Sequence, residues 1–133
     1  MTLKKLIVTN KKALVQKYGS NGFSRIQNAL SKLSTSDKNR SITNVLVFLD
    51  DQTVMTSYGL KSVKASNEKD NKDAIDIIFS KEKADYLLLL GAQDIIPFQS
   101  LINFLADGEK YVPSDLPYGC NGPYSQLIKD FRN

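Results

Sequence analysis

A chain of 133 residues, 41% hydrophobic and 24% charged, is large enough to bury one core without disulfide or metal staples, and no window approaches the roughly 18 apolar residues of a membrane span. The net charge of +4, from 18 basic and 14 acidic residues, sits on single lysines and short pairs among Ser and Asn without interleaved aromatics, which is the pattern of a solvated surface and not of a nucleic-acid platform. Histidine is absent, which removes imidazole acid–base chemistry, Ser-His and Cys-His pairs and ordinary zinc sites, and a single cysteine, Cys120, excludes an internal disulfide.

Leu3 to Thr9 predicts a first strand, stopped by Asn10; its three strong apolar residues, Leu6 to Val8, are too short a run for a secretory signal, so a cytoplasmic location is expected. Lys11 to Tyr18 predicts a short helical stretch, broken or bent at Gly19-Ser20-Asn21-Gly22. Phe23, Ile26, Leu30 and Leu33 then recur at helical intervals, and their stripe is expected on the sheet. Ser34 to Ser41 lacks large apolar residues and reads as a surface connection. Val45 to Leu49 predicts a second buried strand, followed by Asp50-Asp51. Such a pair either binds a divalent cation or polarises a substrate, or it caps backbone N–H groups, the commoner use of Asp at a strand end.

Gln52 to Ala65 has weak periodicity and admits a short helix or strand around Val54 to Val63. From Lys72, Ala74, Ile75, Ile78 and Phe79 predict a second amphipathic helix, capped by Asp70 or Asn71 and ending at Lys81 to Lys83. The third strand lies in Asp85 to Leu90, where four consecutive leucines, Leu87 to Leu90, leave no polar face and predict burial on both sides of a sheet. Gly91 ends it, and Asp94 and Pro97 follow in the position where an open α/β sheet carries its ligand loops. Phe98 to Ala106 predicts a short helical or extended segment. Beyond it the chain is turn chemistry around Asp107-Gly108, Pro113, Pro117 and Asn121-Gly122-Pro123.

Alternating strands and helices predict one α/β domain over 1–133, a three-layer sandwich around a parallel sheet. No Gly-rich phosphate loop follows a strand, so no nucleotide cradle and no cofactor is expected, and no metal site is assigned. Cys120, without histidine, would need a lysine or a helix dipole to form a thiolate, and reads as a structural loop thiol.

Ala74-Ile75 in the helix, Asp85-Tyr86-Leu87-Leu88-Leu89-Leu90-Gly91, Asp94-Ile95-Ile96-Pro97 and Ser114-Asp115-Leu116-Pro117-Tyr118, in that order, resemble the N-terminal portion of peptidase family C25, the gingipain-like cysteine peptidases of the caspase-like clan; Leu6-Ile7-Val8-Thr9 also fits. The resemblance implies strand order 2-1-3 and a longer caspase-like domain whose later strands carry a His-Gly and a Cys as the catalytic dyad, neither of which is in this sequence. It implies that this chain supplies sheet and active-site-facing loops, with Asp94, Asp115 and Tyr118 on the catalytic face in supporting roles and no catalytic residue. Cys120 comes too early to match the family nucleophile. The implied partner is the rest of the parent polypeptide, or a second chain, carrying the dyad, with a peptide as the parent's substrate. The rival expectation is a non-catalytic, flavodoxin-like module that binds a protein partner or small ligand at the strand C-terminal edge, between the first and third strands. An open sheet edge also predicts self-association.

Overall fold

The structure, a computed structural model, describes residues 1–131. Strand β1 (Leu3–Thr9) runs parallel to β2 (Ile42–Phe48) on one side and to β3 (Tyr86–Leu89) on the other. The order is therefore β2-β1-β3, as expected, with Leu3 opposite Ile42, Thr9 opposite Phe48, Lys5 opposite Tyr86 and Val8 opposite Leu89.

Helices cover both faces, because side chains alternate along β1. On one face Lys5 reaches Asp37 of α1 (Lys11–Asn39) at 2.6 Å, and Ile7 lines a small cavity with Gln27, Leu30 and Ser31 of the same helix. On the other, Lys4 pairs with Glu82 of α3 (Glu68–Glu82) at 3.1 Å, while Leu6 and Val8 enter the core with Ala74, Ile75 and Ile78. Met55 of the short α2 (Gln52–Ser57) closes that core. Each fully buried aliphatic side chain stabilises the fold by about 1.5–3 kcal/mol.

The structure departs from the expected elements where tertiary contacts override local pattern. The bend at Gly19 (φ 72°, ψ 176°) is present, but helix resumes at once and runs through the polar 34–39 segment expected as a connection. Asp37 explains the continuation: it is fully buried and accepts hydrogen bonds from Lys5 and Arg40, so a polar turn is anchored to the sheet by charge instead of by apolar contact. Helix α3 begins a turn earlier than expected, at Glu68, because Asn67 and not Asp70 or Asn71 accepts the capping hydrogen bond, from the Asp70 N–H.

The leucine run is the larger correction. The strand buried on both faces is β1, with Leu6, Ile7 and Val8 at most 2% exposed, whereas Leu87 to Leu90 are only half-buried and Tyr86 is exposed. Strand β3 has β1 as its neighbour on one side only, so its position in the sheet, not its composition, sets its burial.

Beyond Pro97, β4 (Gln99–Ile102) pairs antiparallel with β5 (Tyr111–Ser114), so the segment expected as helical or extended is a strand. Pro113 sits within β5, which pairs with β4 alone, an edge position that tolerates a missing N–H. Two 3-10 turns, Leu116–Gly119 and Ile128–Phe131, follow. No helix among the described residues is long and apolar enough to cross a membrane.

Candidate functional site

The C-terminal ends of the three parallel strands open on one crevice of about 560 Å³. Its lining comes from Asn10 and the first turns of α1, from Asp50 after β2, from the 62–66 loop, and from Gln93, Asp94 and Pro97 after β3. With β2 and β3 on opposite sides of β1, the chain leaves the sheet in opposite directions here, which is where open α/β sheets leave room for ligands.

Asn10 organises the floor. It is 2% exposed; its Oδ1 accepts from the Ala13 N–H (3.0 Å) and caps α1, while its Nδ2 donates to the Val63 carbonyl (3.2 Å). Asp50 accepts from the N–H groups of Lys11 (2.8 Å) and Lys12 (2.9 Å), and Asp51 accepts from the Val54 N–H (3.2 Å) at the start of α2. The two carboxylates are thus divided between two helix N-termini, where negative charge complements the free N–H groups. The N-terminus of α1 is correspondingly occupied by the protein's own acceptors.

Asp94 lies at the crevice mouth, paired with Lys17 of α1 at 2.8 Å. The hydrogen bond from Lys17 holds the Asp94 carboxyl below the usual carboxylate range, and in return Asp94 raises the Lys17 ammonium. Gly91 makes this loop possible: at φ 127° a side chain is strained, and an added Cβ would stand 2.4 Å from Ile95 Cβ.

Tyr118 and Asp115 are placed differently from Asp94. Tyr118 is 5% exposed; its hydroxyl donates to the Pro97 carbonyl (2.6 Å) and accepts from Gln99 Nε2 (2.7 Å), so it ties the loop that carries Asp94 to β4. Burial pushes its phenol far above the usual range. Asp115 is exposed and precedes the first 3-10 turn without capping it through its side chain. Tyr118 therefore reaches the Asp94 loop through Pro97, and of Asp94, Asp115 and Tyr118 only Asp94 lines the crevice.

Cys120 is partly buried on the α3 side of the sheet, with Sγ 3.6 Å from the Phe131 carbonyl oxygen. Lys72, fully buried on α3, donates to the Cys120 carbonyl (2.9 Å) and to Asp76 (2.7 Å), holding the backbone of this segment and not its thiol. Burial, the dominant influence, raises the Asp76 carboxyl despite the Lys72 ammonium beside it. Among the described residues no three His, Cys, Asp or Glu side chains gather where they would hold a metal ion.

The strand ends and the Asp94 loop are legible in the sequence, whereas Lys12, Lys64 and the 62–66 wall of the crevice, and Lys17 as the partner of Asp94, are not. Asn10 directly after a strand was a cap signal that bore on the crevice floor, whereas nothing local marks which lysines face it. No family model matches this chain, and searches of curated proteins and of solved structures returned no match.

Proposed function

We propose that this chain is the non-catalytic N-terminal portion of a gingipain-like cysteine peptidase, providing sheet and loops to a catalytic dyad carried on another segment or chain. The supporting observation is β3. A run of four leucines has the composition of a strand covered on both faces and flanked on both sides, yet it stands at the sheet edge and half-exposed. A sheet continuing past β3 would bury these side chains and carry the nucleophile and base that a chain without histidine lacks. On this reading Asp94 shapes the active-site wall through Lys17, Tyr118 fixes the loop behind it, and Asp115 faces solvent near the join. The same reading assigns the protein to the cytoplasm, supported only by its single cysteine, which cannot form an internal disulfide.

The test is labelling of the natural gene product with a peptidyl acyloxymethyl ketone, followed by mass-spectrometric mapping. Label on a cysteine outside these 133 residues, weakened by Tyr118→Phe, is the expected result. Label at Cys120, or no label on any cysteine, refutes the proposal.

A second reading, a non-catalytic module that binds a small ligand, is favoured by the crevice itself. Its volume of about 560 Å³ is that of a small-molecule site, and it lies at the strand C-terminal ends.

A further inference from the structure

We propose that the crevice at the ends of β1, β2 and β3 binds a small ligand through a compact anionic group, a carboxylate or a phosphate. The inference rests on the second reading above and assigns the ligand its chemical class.

The charges in the crevice are unequally committed. Asp50 has both carboxylate oxygens on the backbone N–H groups of Lys11 and Lys12, and Asp94 has both on Lys17. Lys12 and Lys64, which also line the crevice, form no salt bridge among the described residues. The charged lining is two ammonium groups and two carboxylates, and only the ammonium groups lack a partner among the described residues. An incoming cation would share Asp50 or Asp94 with donors already on both oxygens, whereas an anion meets ammonium groups that have only water to lose.

The neutral lining can also donate to such a group. Ser62, Ser66, Gln16 and Gln93 all carry donors, and the N–H groups of Ala65 and Ser66 make no hydrogen bond to the described residues. The wall bearing Lys64 is also held in place before any ligand arrives. The Ser62 N–H donates to Gln52 Oε1 (2.9 Å) and the Val63 N–H to the Leu49 carbonyl (2.7 Å). The Val63 carbonyl accepts from Asn10, and the Lys64 carbonyl from Asn71 Nδ2 (3.0 Å). A wall pinned at three consecutive residues loses little conformational freedom on binding.

Amide-resolved NMR titration of the whole chain tests this with three probes at fixed ionic strength: inorganic phosphate, glutarate and the cation agmatine. Saturable shifts at Ala13 and Ser66 with phosphate or glutarate are expected, and whichever saturates identifies a phosphoryl or a carboxylate ligand. Lys64→Gln and Lys12→Gln should each weaken that binding at least about tenfold, and Lys110→Gln, on the distant ribbon, should leave it unchanged. Saturation by agmatine without either anion overturns the anionic assignment and leaves a ligand crevice standing. Anion shifts indifferent to both crevice lysines also overturn the assignment, and no saturable response to any probe overturns the crevice as a binding site as well.

Discussion

Replacing Tyr118 by Phe removes one oxygen and two hydrogen bonds while the buried ring stays in place. The lost hydroxyl donates to the Pro97 carbonyl and accepts from Gln99 Nε2. Gln99 Nε2 keeps one of its two N–H groups on the Glu68 carbonyl at 2.8 Å, and the other loses its acceptor. The Pro97 carbonyl loses its donor at a site where water has little access, since Tyr118, Gln99 and Ile96 are each at most 5% exposed. A buried polar group left unsatisfied costs about 1–3 kcal/mol, so the Pro97 carbonyl and the Gln99 N–H together place this case at about 2 kcal/mol. For a domain of this length that lowers Tm by about 5–8 °C. Because burial raises the phenol, the donor is present throughout the neutral range and the effect should not vary between pH 6 and 8. Urea denaturation should show a lower midpoint at unchanged m value. Tyr118→Ala, which also vacates the ring, should cost about 4 kcal/mol. A Phe variant within about 0.3 kcal/mol of the original protein would refute the claim that this hydroxyl fixes the Asp94 loop.

Two glycines separate backbone strain from steric overlap. Gly19→Ala meets no atom within 4 Å, so its cost is conformational, about 1–3 kcal/mol; Gly91→Ala adds a clash with Ile95 and should cost about 3–5 kcal/mol by calorimetry. The reverse ranking would contradict the Gly91 geometry. Asp37 is held below the usual carboxylate range chiefly by its hydrogen bond from Lys5, and Glu82 chiefly by that from Tyr58. A depressed folded pKa contributes stability above the unfolded value that is lost as pH falls through the folded one, so denaturation midpoints should drop as pH falls below about 4. Asp76, raised by burial, opposes this trend, because its protonation favours the fold. Asp37→Asn should flatten the acid limb; an unchanged limb means the Lys5 pair does not contribute. Leu88→Lys on the open edge of β3 should reduce self-association in sedimentation velocity, and unchanged association would place the contact elsewhere.

Periodicity in this sequence determined the α/β class, the three parallel strands and the position of Asp94, because strand and helix repeats are local properties of five to fifteen residues. Helix limits were less legible: the 34–39 turn is helical only because Asp37 meets Lys5 of β1, a partner that no local window contains. The same holds for burial. Leu87 to Leu90 and Leu6 to Val8 look alike as apolar runs, and only the strand order decides that the second is central and the first an edge. Which charges in the crevice are spent was decided by tertiary structure alone. Asp50 on Lys11 and Lys12, Asp94 on Lys17 and Asn10 on Val63 are contacts between residues far apart in the chain. Composition counts a carboxylate the same whether it faces water or a helix end; folding distinguishes them, because hydrogen bonds act over about 3 Å of space and not over sequence.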